Sequence, residues 1–388
     1  MRFEGVDFYD IDGLLTEDER GVRDSVRGWT NERVQPIIEH HYEAGTFPTE
    51  LVAEMGEMGF LGANLQGYDC PGLNNVMYGL ICQELEAGDS AMRSFASVQG
   101  SLVMFPIHAY GSEEQKQKWL PRLAAGQAIG CFGLTEPDHG SNPGGMITRA
   151  VDKGSHYLLN GAKMWITNGT VADVAVVWAK LDGVVRGFIV EKGMEGFSAP
   201  EMKGKLSLRA SVTSELVFQD VEVPKENILP GVSGLKGPLS CLNNARYGIS
   251  WGALGAAQAC FQSAKEYSQT RLQFDRPIGS FQLVQNKLAW MLREITKGQL
   301  LAWRLAHLKD QGTLKHEQVS LAKMNNVDIA LQIARVARDI HGANGILGEY
   351  PIMRHMANLE SVYTYEGTHD IHNLVLGRWV TGISAFNN

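Results

Sequence analysis

Val174-Ala175-Val176-Val177-Trp178 is a run of five apolar residues, three of them β-branched. Such a run is too short for a helix and reads as a buried strand. Gly187-Phe188-Ile189-Val190 and Leu216-Val217-Phe218 repeat the pattern. From Ile129 to about Val223, short runs of this kind alternate with Gly, Asn and Pro punctuation. Tyr157-Leu158-Leu159-Asn160-Gly161 adds an Asn-Gly pair, a hairpin-turn signal. The segment therefore predicts a mostly antiparallel β domain of roughly a hundred residues.

Outward from this segment the period changes. Toward the N-terminus, Thr16-Glu17-Asp18-Glu19 and Ser112-Glu113-Glu114-Gln115 are capping boxes that open helices, the second stopping at Pro121. Further helices are expected over 49–58 and through Tyr78, Ile81 and Leu85, with a loop at 62–73. Toward the C-terminus four amphipathic segments follow: 245–270, 281–309, 317–340 and 370–383. Val327, Leu331, Ala334, Ala337 and Ile340 keep one apolar stripe along the third. Such helices pack as a bundle. The expected order is an N-terminal α-helical domain (1–128), a middle antiparallel β domain (129–232) and a C-terminal four-helix bundle (233–388).

With 43 acidic against 35 basic side chains, a net charge of −8 argues against nucleic acid or an anionic membrane as partner. Five scattered cysteines, none in a zinc-like spacing, read as reduced thiols in a cytoplasmic type of compartment. The first residues form neither a signal core nor a transit segment. No run approaches the ~18 apolar residues of a membrane span.

Three stretches bear chemistry. In Tyr365-Glu366-Gly367-Thr368-His369-Asp370, Gly367 allows close backbone approach and Thr368 is a candidate N-cap. That would leave Glu366 beside a ligand, where a general base belongs. In Cys131-Phe132-Gly133-Leu134-Thr135-Glu136-Pro137-Asp138-His139-Gly140-Ser141, hydroxyls and glycines suit a phosphate-bearing ligand. In Trp165-Ile166-Thr167-Asn168 a flat ring could stack on the indole. Read singly, each has a plainer alternative: a capping glutamate, a junction loop, a core tryptophan. Neither G-x-G-x-x-G nor a Walker A stretch occurs, so a redox cofactor would be held in some other way.

Taken in order, L-T-E-P-x-x-G-S, W-I-T-N and Y-E-G-T resemble the flavin and catalytic signatures of the acyl-CoA dehydrogenase family, and the likeness runs from about residue 16 onward. The resemblance implies FAD between sheet and bundle. Phe132, Leu134, Thr135, Gly140 and Ser141, with Trp165, Ile166 and Thr167, would hold its isoalloxazine, ribityl and pyrophosphate parts. Thr368 and Asp370 would add to that site. Arg271, Phe274 and Gln282, with Asp339, Gly342 and Ala343, match positions where a neighbouring subunit grips the adenine end, which implies a homotetramer. Asp275 and Ala343 stand where glycine is usual. Glu366 matches the catalytic base, and Arg246 the CoA contact.

Within the family, Arg93-Ser94, Ser97-Val98-Gln99, Leu242-Asn243-Asn244-Ala245-Arg246 and Tyr365 to His372 resemble the branch acting on glutaryl-CoA. On that likeness Arg93 would bind the substrate's distal carboxylate, with Glu86, Ser94 and Tyr365 around it. Ser141, Leu242, Asn243, Arg246 and Gly367 would complete the substrate contacts. Glu86 and Arg93 share a face if one helix runs through Gly88; an ordinary surface ion pair is the alternative. The expected reaction is oxidation of glutaryl-CoA and loss of CO₂ to crotonyl-CoA, with electrons passed to an electron-transfer flavoprotein. Oxidation of another short acyl-CoA, or oxidation without decarboxylation, is the alternative, and a silent binding protein a remote one.

Overall fold

The computed structural model describes residues 2–386. The N-terminal part is helical: α1 (Glu17–Trp29), α2 (Ile38–Ala44), α3 (Val52–Glu57), α4 (Asn75–Gly88), α5 (Ser90–Ser97), α6 (Phe105–Tyr110) and α7 (Glu113–Ala124). Both capping boxes form, Thr16 and Ser112 each accepting from the third residue of the helix while that residue's side chain reaches back. The helix opened at Ser112 does not stop at Pro121 but runs to Ala124. Pro121 falls near the C-terminal end, and its carbonyl still accepts from Ala125 N. Nor does one helix run through Gly88. Asp89 is extended (φ −166°, ψ 147°), and its carboxylate caps a new helix by accepting from Ala91 N.

A seven-stranded sheet follows: β1 (Gly130–Gly133), β2 (Arg149–Asp152), β3 (His156–Thr167), β4 (Val174–Leu181), β5 (Val184–Glu191), β6 (Phe197–Ser198) and β7 (Thr213–Pro224). Four pairings are antiparallel, but β1 and β2 both run parallel to β4, so the sheet is mixed. Along β4, Val174, Val176 and Trp178 pack toward the helices, while Ala175, Val177 and Ala179 face the opposite core. Burial on both faces explains the unbroken apolar run. The Asn160-Gly161 pair makes no hairpin. Both residues lie inside β3 at a register shift against β7. Asn160 is bonded to Asp220, and a Cβ on Gly161 would lie 2.5 Å from Thr148 Oγ1. A residue without a side chain lets β3 bulge there.

The C-terminal part comprises α8 (Lys236–Thr270), a small hairpin of β8 (Leu272–Gln273) and β9 (Arg276–Pro277), then α9 (Gln282–Asp310), α10 (His316–Ile340), α11 (Ile352–Thr364) and α12 (His369–Thr381). Two features depart from the sequence reading: α8 begins nine residues before Ala245, and α11 is an additional helix. α8 is the axis of the molecule, with α4, α9 and α10 packed on it. A Cβ on Gly255 would lie 1.9 Å from the Gln83 carbonyl oxygen, so α4 and α8 touch backbone to backbone. Cys82, Cys131, Cys241 and Cys260 are buried and Cys70 half-buried, all as free thiols. Among the described residues no helix is long and apolar enough to cross a membrane.

Candidate active site

The loop between α11 and α12 presents Glu366 in the left-handed region (φ +57°), followed by Gly367 at φ +91°. Thr368 caps α12 by accepting from Ile371 N, and Asp370 lies exposed in the first turn. The Glu366 Oε2 atom is buried and has no hydrogen-bond partner among the described residues. Burial pushes its carboxyl up to about 7, against the opposing pull of Arg246, Arg93 and Lys323. A carboxylate poised near neutrality in a dry recess is suited to proton abstraction.

Arg246, half-buried on α8, donates from Nε to the Glu366 carbonyl at 2.6 Å and from Nη1 to Asn243 Oδ1 at 3.3 Å. Leu242 and Asn243 are half-buried about one turn before it. A Cβ on Gly367 would lie 3.2 Å from an Arg246 nitrogen and 3.0 Å from His372 Nε2, so the glycine admits both.

On the other side of Tyr365 lies a buried ion pair. Arg93 Nε donates to Glu86 Oε2 at 2.6 Å, and Ser90 donates to Glu86 Oε1 at 2.8 Å. Arg93 Nη2 donates to the Tyr365 hydroxyl. Arg93 is 1% and Glu86 0% exposed, so the surface-pair alternative falls away. Ser94, next on α5, is also buried. The break at Asp89 does not separate the pair, because α5 restarts with Arg93 turned toward α4. Among the described residues, Arg93 Nη1 makes no hydrogen bond. It remains available to a ligand carboxylate.

The two stretches expected to hold a flavin meet at one sheet end. Met164 N donates to Thr135 O at 2.8 Å, and Lys163 Nζ bonds Leu134 O and Glu136 Oε1 at 3.0 and 2.8 Å. Ile147 N and Thr148 N donate to Glu136 as well. Although burial alone would raise it, these donors hold the Glu136 carboxyl down at about 2. Phe132 and Leu134 are buried in the core on the helical side of the sheet and Ile166 in the core on its other face; Gly140 and Ser141 are exposed. Trp165 is 62% exposed with a left-handed backbone (φ +62°), beside the half-exposed hydroxyls of Thr135 and Thr167. An indole face left open next to hydroxyls fits a planar, polar-edged cofactor.

Arg271, Phe274, Gln282, Asp339, Gly342 and Ala343 form a second group, all exposed. Their segments adjoin each other. Asp339 pairs with Lys287, and Tyr267 stacks on His341 and accepts from Asn344 Nδ2. Among the described residues no hydrogen bond links this group to the Glu366 cluster. Phe274 projects into solvent at 87% exposure.

Sequence reasoning missed two members of the site. Lys323 Nζ donates to the carbonyls of Tyr365 (3.0 Å) and Gly367 (2.9 Å), and His372 is buried beside Gly367. Lys323 stands one helical turn before Val327, on the apolar stripe of α10. A lysine on a stripe that faces the core was a readable signal. His372 offered none.

Family models match three consecutive parts of the chain: acyl-CoA dehydrogenase N-terminal domain over 16–127, middle domain over 131–221 and C-terminal domain over 233–381. A crystal structure of glutaryl-CoA dehydrogenase from Mycobacterium smegmatis is 57% identical, with a TM-score of 0.96, covering 97% of this chain and 98% of that one. One of a glutaryl-CoA dehydrogenase from the same organism, in complex with FADH2, is 55% identical with a TM-score of 0.97, covering 98% of each. Among curated relatives, the short-chain specific acyl-CoA dehydrogenase of Clostridium acetobutylicum is 36% identical over 378 residues, 94% of this chain and 98% of its own length. Glutaryl-CoA dehydrogenase of Desulfococcus multivorans is 34% identical over 390 residues, 97% of this chain and 100% of its own length.

Proposed function

The chain belongs to the acyl-CoA dehydrogenase family and is an FAD-dependent oxidoreductase; we propose that its substrate is glutaryl-CoA and that oxidation is followed by decarboxylation. One observation supports the substrate most directly. Arg93 is buried, neutralised by Glu86 and fixed by Tyr365, one residue from Glu366, and keeps Nη1 free. A fatty-acyl tail would have to bury its apolar end against a guanidinium. A second carboxylate makes the matching charge-assisted pair.

In this reading Phe132 to Ser141 and Trp165 to Thr167 hold FAD, which when bound accepts the hydride from the β-carbon. Glu366 takes the α-proton on its unpartnered Oε2. The charge developing on the thioester oxygen calls for N–H donors, and the loop backbone at Glu366 is the nearest candidate. Arg93 orients the distal carboxylate so that one prochiral α-hydrogen faces the base. The resulting glutaconyl thioester breaks its carboxylate C–C bond, and the released electron pair enters the conjugated thioester as a dienolate. The proton returned at the γ-carbon, from Glu366, gives crotonyl-CoA. Arg246 and Asn243 would meet the CoA portion.

Electrons would leave to an electron-transfer flavoprotein. The second residue group, from Arg271 to Ala343, would complete the FAD site of a neighbouring subunit in a homotetramer. The free thiols suit a reducing compartment, the cytoplasm or, for a processed form, the mitochondrial matrix.

The deciding test is anaerobic mixing of the holoenzyme with glutaryl-CoA and, separately, butyryl-CoA, watching flavin absorbance and trapping CO₂. Bleaching that favours glutaryl-CoA and is lost in Arg93→Met, together with crotonyl-CoA and CO₂, is expected. Preference for butyryl-CoA would remove the substrate reading. Glutaconyl-CoA as end product would remove the decarboxylation alone.

A further inference from the structure

Every backbone carbonyl of the tripeptide centred on Glu366 is held by a cation. Those of Tyr365 and Gly367 accept from Lys323 Nζ at 3.0 and 2.9 Å, and that of Glu366 accepts from Arg246 Nε at 2.6 Å. Lys323 also approaches Tyr363 O at 3.5 Å. The alternation is geometric: carbonyls two residues apart point one way, toward α10, and the middle one points to α8. Glu366 itself sits at φ +57°, a conformation that L-residues with a side chain seldom adopt. The two cations compensate that strain by holding the turn from both sides.

Lys323 is 1% exposed and none of its bonds goes to a side chain, so it is neither a surface ion nor placed to touch a ligand. We propose that Lys323 is a positioning residue for the base: its ammonium clamps the carbonyls flanking Glu366 and fixes the left-handed turn that aims the carboxyl into the acyl site. Its charge beside that carboxyl also favours the ionised form. This rests on the reading of Glu366 as the base.

The groups facing Glu366 are Arg246 and Cys241 on α8, Arg93 on α5, Lys323 on α10, His372 on α12 and the adjacent Tyr365. Burial, with Lys323 and Arg246, holds His372 down at about 3, so it is neutral; burial keeps Cys241 and Tyr365 protonated. Three cations remain. Arg93 and Arg246 belong to the proposed substrate contacts, which leaves Lys323 as the charge that can be removed without touching the acyl-CoA. Burial pushes its ammonium down to about 7 while the Glu366 carboxylate pulls it up.

The test compares Lys323→Met, Lys323→Gln and Lys323→Arg with wild type and Glu366→Gln as FAD holoenzymes. It follows anaerobic flavin bleaching by glutaryl-CoA against pH. Lys323→Met should slow bleaching by about 10- to 100-fold with half-saturation changed less than about twofold. The acid limb of its pH profile should move up by about one unit. Lys323→Gln should show the same limb shift with a smaller rate loss, and so carries the test if the Met variant does not retain FAD. Lys323→Arg should restore the limb. A limb unmoved in both neutral variants, or a wild-type rate in Lys323→Met, overturns the proposal. Glu366→Gln reports separately: if it keeps wild-type activity, the base reading fails whatever the lysine variants do.

Discussion

Removing the Arg93 guanidinium should reveal two separate roles. It strands the Glu86 carboxylate with only Ser90 as partner in a fully buried site. An uncompensated buried charge of this kind costs about 3–5 kcal/mol. Arg93→Met should therefore lower the thermal midpoint strongly, and adding Glu86→Gln should recover much of that loss. Preference for glutaryl- over butyryl-CoA should stay lost in the double variant; if it returns, the carboxylate-binding assignment is wrong. Glu366 supplies a second outcome. With its carboxyl raised to about 7 by burial, the ionised base is depleted as pH falls. In stopped-flow or steady-state work kcat/KM should drop about tenfold per unit below about pH 7 and level off above it. Glu366, Arg93 and Tyr365 could be singled out because the stretches that carry them resemble the family's signatures; read singly, a capping glutamate and a surface ion pair were the plainer readings. Lys323, one turn before Val327 on the apolar stripe of α10, went unread. Backbone carbonyls, its actual partners, leave no trace in a sequence.

The Lys163–Glu136 link sets the stability of the loop that leaves β1. The Glu136 carboxyl is held far below its ordinary value of 4.5, at about 2. A depressed acid stabilises the fold above its unfolded value, and that contribution disappears as pH falls through the folded one. The window is thus from about 4.5 down to about 2, and the contribution on the order of 3 kcal/mol. Glu136→Gln should destabilise the protein at neutral pH and flatten the acid limb of denaturant-derived stability; an unchanged slope would mean the pair is not coupled to folding. Strand and helix placement was readable from periodicity and capping residues. Asn160-Gly161 misled because a glycine inside a strand serves a bulge as readily as a turn, and only the nearby Thr148 backbone decides which. The break at Asp89 went unread in the sequence, and the pairing of Glu86 with Arg93 across it depends on how α5 restarts. α11 went unread although Ile352, Met356, Leu359 and Tyr363 recur at helical spacing and pack into the bundle core.

At the scale of the molecule, large apolar side chains stand in water on a single chain. Phe274 is 87%, Leu283 77% and Leu272 58% exposed around the β8–β9 hairpin, and Trp379, Val380 and Ile383 are at least 66% exposed on and after α12. Burying each in a subunit contact would contribute roughly 1.5–3 kcal/mol. Sedimentation of the wild type should give a tetramer. Phe274→Asp combined with Leu283→Asp should shift it toward smaller species and weaken FAD retention on dilution; a tetramer with undiminished flavin would dissociate this face from both roles. The order of helices, sheet and helices was legible from the change of period at Ile129. Which faces meet a second copy was not, since an exposed phenylalanine and a buried one are spelled alike. The buried sulfurs carry a practical consequence. Burial pushes the thiols of Cys82, Cys131 and Cys260 up to about 12, and that of the half-buried Cys70 to about 11. Alkylating dyes react with thiolates, so the native chain is nearly silent toward them at neutral pH. A cysteine introduced at Leu206, 82% exposed on the loop before β7, would be the fast-labelling position on the native protein. A fluorophore could be attached there without first stripping the chain of its own sulfur.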